Sequence, residues 1–313
     1  MTTPAVPLAV RGLRKRYGDV VAVDGLDLEI ASGECFGLLG PNGAGKTTTI
    51  EICEGLLDQD EGDVSVLGMS WERDEKALRE RLGIQLQETQ LGEKLTVTET
   101  LRLFRSFYKS GTDVDQVITR VQLDEKRDAR VGKLSGGQKQ RLALACSIIG
   151  DPDLLFLDEP TTGLDPQSRR QLWDLIEEFK ATGRTIVLTT HYMEEAEVLC
   201  DRVAIVDHGK IIALGSPRQL IESLGAEHVV EFALTGGMSA ALPVELLRSL
   251  PGVSDVRVLE NGYELRVAEL HRAVPGLLTA LAELQLELSQ LTTHSATLED
   301  VFVGLTGRQL RDD

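Results

Sequence analysis

The stretch that decides the fold is Gly40-Pro41-Asn42-Gly43-Ala44-Gly45-Lys46-Thr47-Thr48. It has the G-x-x-x-x-G-K-[ST] spacing, and it lies between a predicted strand, Cys35–Leu39, and a predicted helix, Thr47–Cys53. Because glycines lack Cβ atoms, backbone N–H groups can curl around a phosphate there, and the helix N-terminus adds partial positive charge. We therefore predict a phosphate-binding loop in which Lys46 reaches the outer phosphates and the Thr47 hydroxyl ligates Mg²⁺.

Two adjacent acids follow a second apolar strand. Leu154–Leu157 is typical of a buried strand, and Asp158 and Glu159 stand at its carboxyl end. Such acids are also common in turns and helix caps, so their interpretation depends on the phosphate loop upstream. With that loop, the pattern predicts that Asp158 holds Mg²⁺, directly or through water, and that Glu159 polarises an attacking water as general base.

A third element repeats the backbone chemistry of the first. Ser135, Gly136, Gly137 and Gln138 lie at the start of a predicted helix that ends at Ile149, so they expose N–H groups at a helix N-terminus. One chain cannot easily use two phosphate cradles on one nucleotide. We therefore predict that two copies of the chain assemble head to tail, each supplying this second cradle to the γ-phosphate bound by the other.

With these three elements in chain order, the sequence resembles the ATP-binding subunits of ABC transporters. The resemblance covers about residues 7–224. It implies an ATPase with ATP and Mg²⁺ as cofactors, which hydrolyses ATP between two copies of itself and drives integral membrane permease subunits. Adenine is favoured over guanine, because the sequence contains no Asn-Lys-x-Asp guanine-reading motif.

The resemblance also implies roles that the motifs alone do not explain. Tyr17 resembles the aromatic residue that stacks on adenine. Gln87 resembles the glutamine that contacts Mg²⁺ and relays motion to the permease, and Gln85 is the other candidate for that role. Asp165 belongs to a loop that resembles the one communicating across the dimer, and His191 resembles the switch histidine that contacts the γ-phosphate. The predicted catalytic residues are therefore Lys46, Gln87, Glu159 and His191.

Two short sequence segments resemble segments of exporters of the daunorubicin-resistance type. Residues 190–197 read Thr-His-Tyr-Met-Glu-Glu-Ala-Glu, and residues 296–302 read Ala-Thr-Leu-Glu-Asp-Val-Phe. In that type an ATPase chain pairs with a separately encoded permease, so we expect export. Two alternatives remain open: a soluble ABC ATPase acting on ribosomes or DNA, and a regulatory or scaffolding ATPase. The transported substrate also stays open, because the permease makes those contacts.

Charge and hydropathy bear on partners and location. The chain has 313 residues, with 50 acidic and 33 basic side chains and a formal net charge of −17. Nucleic acids and anionic membrane surfaces attract Lys and Arg, so we expect no nucleic-acid partner. No apolar run approaches the roughly 18 residues of a spanning helix, and the first residues lack a signal-peptide pattern. We therefore expect a cytoplasmic protein, peripheral to the inner face of the cell membrane.

The alternation of strands and helices predicts the fold class. The pattern of the first two-thirds of the chain predicts an α/β core with a largely parallel sheet. The resemblance implies that this core is a P-loop NTPase of the ABC ATPase type. We expect an antiparallel β subdomain from Leu8–Tyr17 and Val20–Ile30, and a helical insert at about 91–133. The tail has the order β-α-β-β-α-β of a small ferredoxin-like α+β domain. The predicted domains are an ATP-binding domain over 1–224 and an accessory domain over 225–313.

Three local features refine this prediction. Phe104, Phe107 and Tyr108 lie at helical spacing in the insert, so we expect them in its core, with a docking surface as the alternative. In the tail, Glu260-Asn261-Gly262 predicts a hairpin turn, and a helix is expected around Pro275–Leu284.

Overall fold

The chain folds into two compact units. The structure is a computed structural model that describes residues 6–87, 89–235, 242–259 and 261–307. The first unit extends to Ser216 and the second begins at Pro217. The first unit has two sheets and the second has one, and each unit has its own hydrophobic core. Among the helices in these ranges, none combines the length and apolar composition that a bilayer crossing requires.

The first unit alternates strands with helices. Its strands are β1 (Leu8–Tyr17), β2 (Val20–Ile30), β3 (Cys35–Leu39), β4 (Glu61–Val66), β5 (Leu82–Gln85), β6 (Leu154–Asp158), β7 (Thr185–Thr190), β8 (Arg202–Asp207) and β9 (Lys210–Gly215). Its helices are α1 (Lys46–Cys53), α2 (Trp71–Arg79), α3 (Val97–Arg105), α4 (Val114–Arg120), α5 (Gly136–Ile148), α6 (Pro166–Ala181) and α7 (Met193–Leu199), with 3-10 turns at Asp124–Lys126 and Val131–Lys133.

The larger sheet places the predicted motifs side by side. Its strand order is β5-β6-β7-β3-β8-β9, with parallel neighbours except for the antiparallel pair β8–β9. Every residue of β3, β6 and β7 is buried, as expected for a parallel sheet covered on both faces. The carboxyl ends of these three adjacent strands meet at one edge. That edge is where ligands bind in open α/β sheets.

The smaller sheet is the predicted antiparallel subdomain. β1 and β2 form the expected hairpin, in which Tyr17 pairs with Val20 across the turn. β4 completes the sheet by pairing with β1, in the order β2-β1-β4. The sequence does not predict β4, because its first three residues, Glu61-Gly62-Asp63, have little strand propensity. In the structure these three residues are exposed.

The helical insert contains α3 and α4. The α3 helix begins with a capping box, in which the Glu99 N–H donates to the Thr96 hydroxyl and the Glu99 carboxylate accepts from the Thr96 N–H. The expectation that the aromatic residues lie in the core is wrong for Phe107, which is 65% exposed. The reason is that α3 ends at Arg105, so helical spacing no longer describes the residues beyond it.

The second unit is a four-stranded antiparallel sheet with helices. Its elements are α8 (Pro217–Glu222), β10 (His228–Leu234), α9 (Val244–Arg248), β11 (Val253–Leu259), β12 (Gly262–Val267), α10 (Leu270–Glu283), β13 (Leu288–Ser295) and α11 (Leu298–Thr306). The strand order is β11-β12-β10-β13. In its core the Phe232 and Tyr263 rings stack with centroids 5.2 Å apart.

The start of one helix in this unit differs from the sequence-based expectation. The α10 helix begins at Leu270, with Pro275 inside it, because Ala273, Leu277 and Leu281 bury one apolar stripe that extends before the proline. The unit itself begins with α8, which contacts α11. The division into domains at residue 225 stays a prediction. Of the predicted hairpin turn, Gly262 pairs with Leu259, and Glu260 lies outside the described residues.

Candidate functional site

The phosphate loop connects β3 to α1, and its lysine lies within it. Lys46 is buried, and its Nζ donates to the carbonyl oxygens of Gly40 and Pro41 at 2.8 and 3.1 Å. Gly45 has φ +102°, and a Cβ there would lie 2.3 Å from the Ala22 carbonyl oxygen, so only glycine fits without a backbone shift. A loop this tight before a helix N-terminus is typical of phosphate binding. The other predicted contacts in it are Asn42, Gly43, Ala44, Thr47 and Thr48.

The first acid of the pair, Asp158, ends β6 beside this loop. Its Oδ1 accepts from the Thr47 hydroxyl at 3.4 Å, and the Thr189 hydroxyl on β7 donates to the same oxygen. Burial raises the pKa of Asp158, and the neighbouring charge of Glu159 adds to that effect. A threonine hydroxyl and a carboxylate on one side of a phosphate loop are oxygen ligands of the kind Mg²⁺ prefers, so these residues fit the ion.

The second acid, Glu159, has an unusual backbone conformation. Its φ is +46°, in the left-handed region that non-glycine residues rarely adopt. Its N–H donates to the main-chain oxygen and the hydroxyl of Thr189, at 3.2 and 3.0 Å. Such strain costs about 1–3 kcal/mol and collects at functional sites, where surrounding bonds hold it in place.

Four side chains converge on the Glu159 carboxylate. Lys46 Nζ lies 3.8 Å from Oε1, and His191 Nδ1 lies 3.2 Å from Oε2. Oε2 also accepts from Gln87 Nε2 at 3.4 Å and from the Thr162 hydroxyl at 3.1 Å. The imidazole of His191 is the main cause that lowers the pKa of Glu159. The carboxylate is therefore ionised at neutral pH, the form that can accept a proton from water.

The two candidate glutamines lie in different environments. Gln85 is the last residue of β5 and is buried, and neither of its amide atoms has a hydrogen-bond partner in the part of the chain that is described. Gln87 follows the strand end and contacts the Glu159 carboxylate. The geometry favours Gln87 over Gln85 as the glutamine of this site.

The second predicted cradle caps α5. The Ser135 hydroxyl accepts from the Gln138 N–H at 3.3 Å, and Gln138 Oε1 accepts from the Ser135 N–H at 3.0 Å, with the two predicted glycines between them. Gln140 Nε2 donates to the Pro160 carbonyl oxygen at 2.6 Å. The Gln140 bond ties the helix that follows the cradle to the loop after the acid pair, and none of these three bonds reaches the phosphate loop of the same chain.

Two predicted nucleotide contacts, Tyr17 and Asp165, lie at the surface of the chain. Tyr17 ends β1 and is 49% exposed, so its ring is accessible for stacking. Asp165 is the N-cap of α6, where it accepts from the N–H groups of Gln167 and Ser168 at 3.1 and 3.0 Å. Hydrogen bonds from Ser168 lower the pKa of Asp165.

Two threonines of the site were not among the predicted residues. Thr189 bonds to both acids, and Thr162 bonds to the Glu159 carboxylate. Thr189 pairs with Asp158 across parallel strands β6 and β7. The sequence gives one hint of its role, which is its position just before Thr190 and His191. The strand register that pairs it with Asp158, however, is visible only in the folded sheet.

Comparison with known proteins identifies the family. The model of the ABC transporter family matches residues 23–162, which include the phosphate loop and the acid pair. The Nod factor export ATP-binding protein I of Burkholderia orbicola (strain AU 1054) is 41% identical, with 98% of this chain and 99% of the relative aligned. The chain belongs to the ABC transporter family.

Other members of the ABC transporter family match over similar lengths. The linearmycin resistance ATP-binding protein LnrL of Bacillus subtilis (strain 168) is 35% identical over 97% of this chain and 100% of its own length. A solved ATP-binding subunit of an ABC transporter superposes with a TM-score of 0.63 and 28% identity, covering 70% of this chain and 93% of that one. The predicted ABC ATPase, with its antiparallel β subdomain, is confirmed.

Proposed function

We propose that this ABC transporter chain is the ATPase subunit of an exporter and hydrolyses Mg·ATP between two copies of itself. The observation that carries the proposal is the convergence on Glu159. A loop lysine, a glutamine after β5 and a histidine after β7 all reach one ionised carboxylate at the carboxyl edge of the sheet.

The ground-state contacts follow from the loop and the sheet edge. The residues of the phosphate loop bind the phosphates, and Lys46 exchanges its carbonyl partners for phosphate oxygens. Thr47 and Asp158, together with Gln87, would hold Mg²⁺, and the bound ion would neutralise phosphate charge. The exposed ring of Tyr17 stacks on adenine.

Hydrolysis then requires a base and a group that holds the γ-phosphate. Glu159 accepts a proton from water while the water oxygen forms a bond to the γ-phosphorus. The bond between that phosphorus and the bridging oxygen of ADP breaks, and the electron pair leaves with ADP. His191, 3.2 Å from Glu159, is positioned to hold the γ-phosphate next to the base.

The second cradle acts on the partner copy. Ser135 Oγ accepts the capping bond from Gln138, and a hydroxyl that accepts keeps its own O–H to donate. In a head-to-tail dimer this donor and the adjacent helix N-terminus contact the γ-phosphate of the other copy. The Gln140–Pro160 bond couples that helix to the loop ending at Asp165, which we place at the same interface.

Export and location rest on the names of the relatives. The two curated relatives carry names for Nod factor export and for linearmycin resistance. Such names imply a transporter in which the ATP-binding subunit works with a separate permease. We therefore place this protein at the inner face of the cell membrane, bound to permease subunits.

The tail is proposed as an accessory domain of ferredoxin-like topology. Two features support it: the element order β10-α9-β11-β12-α10-β13 and an antiparallel sheet in which β10 lies between β12 and β13. Its helix α11 is held by Arg257, which donates to the carbonyl oxygens of Val303 and Gly304 at 2.8 and 3.0 Å. We assign this domain a role in assembly.

The substitution Glu159→Gln tests the proposal. It keeps the size and much of the hydrogen bonding of the side chain but removes its basicity. ATP binding should survive, turnover should fall by about 10²–10⁴-fold, and an ATP-bound dimer should accumulate in size-exclusion chromatography. Glu177→Gln, an exposed acid on α6, is the matched control and should leave turnover unchanged. Wild-type turnover in Glu159→Gln would rule out Glu159 as base.

A further inference from the structure

Three side chains of the first unit form a stack that ends at the base. The ring centroids of His191 and Tyr192 are 4.0 Å apart, and the rings are tilted by 44°. The guanidinium carbon of Arg169 lies 4.2 Å from the centroid of the Tyr192 ring. His191 in turn contacts Glu159, so the stack connects α6 to the carboxylate that activates water.

Main-chain hydrogen bonds hold the residue at one end of this stack, Arg169, and the residue in its middle, Tyr192. Arg169 lies in the first turn of α6, where its N–H donates to the Asp165 carbonyl oxygen at 3.0 Å. The Tyr192 N–H donates to the Thr190 hydroxyl at 2.9 Å. A movement of the loop that ends at Asp165 therefore moves Arg169 directly.

The aromatic ring is a fitting partner for this arginine. Arg169 Nε is buried, and within the described residues it has no hydrogen-bond partner. A guanidinium over a tyrosine face recovers part of the lost hydration through cation–π attraction. Arg169 also opposes the burial that raises the pKa of Glu195, whose Oε1 accepts from Trp173 at 3.0 Å. A purely structural role is thus the competing explanation.

We propose that Arg169 is a positioning residue for ATP hydrolysis. It holds Tyr192 against the His191 imidazole and so fixes the ring that contacts Glu159 and the γ-phosphate. The inference rests on the proposed ATPase mechanism and adds to it a link between the loop ending at Asp165 and the histidine. The loop and the histidine are coupled through the stacked side chains of Arg169 and Tyr192 rather than through a hydrogen bond.

The test compares variants of the full-length chain in a Mg·ATP hydrolysis assay. Arg169→Met keeps length and packing but removes charge, and we expect kcat to fall about 3- to 30-fold with KM for ATP within about twofold. Tyr192→Phe keeps the ring and should retain wild-type kcat. Tyr192→Leu should lose as much as Arg169→Met or more. Arg170→Met, on an exposed neighbour in the same helix, is the matched control and should be unaffected.

Two further measurements separate positioning from structure. The NMR signals of the His191 ring, among five histidines, report the ring current of Tyr192 and should shift in Arg169→Met. In the double variant Arg169→Met/Tyr192→Leu, the loss should equal that of Tyr192→Leu alone, because both act through one stack.

The outcomes are distinct. Wild-type kcat in Arg169→Met, additive losses in the double variant, or a lost ATP affinity with unmoved His191 signals would each overturn the inference. If the wild-type chain lacked Mg-dependent ATPase activity, or Glu159→Gln kept full turnover, the proposed function itself would fail. A reduced kcat with shifted His191 signals and a normal Tyr192→Phe supports the positioning role.

Discussion

The phosphate loop makes a quantitative prediction for Gly45→Ala. Gly45 has φ +102°, and its added Cβ would lie 2.3 Å from the main-chain oxygen of Ala22. An L-residue in a left-handed conformation costs about 1–2 kcal/mol. Relieving an overpacked contact with backbone costs about 1–3 kcal/mol more. We therefore expect the free energy of unfolding to fall by about 2–5 kcal/mol, with a loss of ATP affinity because the loop must open to relieve the clash.

Two other glycines provide matched controls. Gly43 has φ +77° but no atom within 4 Å of an added Cβ, so Gly43→Ala should incur only the conformational cost, about 1 kcal/mol. Gly136, in the first turn of α5, also has open space, and alanine there should change stability by less than about 1 kcal/mol.

The assay is urea unfolding followed by circular dichroism, with ATP titration on the folded proteins. The expected order of destabilisation is Gly45→Ala, then Gly43→Ala, then Gly136→Ala. Equal stability for the variants at 45 and 43, with ATP affinity retained at 45, would refute the assignment of a close backbone approach at Gly45.

Three shorter predictions concern binding, pH and the tail. Lys46→Ala should weaken ATP binding by about 10- to 100-fold, since hydrogen bonds to charged groups contribute about 1.5–3 kcal/mol; a nucleotide titration showing equal affinity would contradict the loop assignment. Burial raises the pKa of Glu54 from 4.5 to about 9. Between these two pKa values the native state holds one more proton than the unfolded state. The free energy of unfolding, measured in urea, should therefore fall by about 1 kcal/mol for each unit that the pH rises, and Glu54→Gln should remove this slope. A chain ending at Ser216 should bind ATP like the full chain, because every predicted site residue lies upstream, but should dimerise or couple to the permease less well; a folded truncation unable to bind ATP would count against the domain division.

Local sequence was sufficient for the parts of the fold with strong short-range signals. The β1–β2 hairpin and the loop before α1 each combine a turn or glycine pattern with an adjacent apolar run, and the acid pair directly follows the apolar run of β6. The proximity of Lys46, Asp158 and Glu159 also follows from sequence, because parallel strands place their carboxyl ends on one edge.

What sequence could not supply depends on strand register and long-range contact. Thr189 reaches Asp158 only because their positions pair across β6 and β7. The positive φ of Glu159 and the stack on Tyr192 leave no local pattern, since each is held by residues distant in the chain. The resemblance names both Gln87 and Gln85, and only the folded structure shows that Gln87 contacts the Glu159 carboxylate while Gln85 is buried.

The strand order of the second unit has a consequence for the timing of folding during synthesis. Of the strands in this unit β10 leaves the ribosome first, yet its partner on one side is β13, the last strand described, and the contacts of Arg257 on β11 need α11, which lies still further along the chain. In the first unit, by contrast, β9 completes the six-stranded sheet before β10 is made. Domains fold as units, the N-terminal one first during synthesis, and long-range pairing slows folding. We therefore expect the nucleotide site to form on the nascent chain before β13 has been synthesised and can pair with β10.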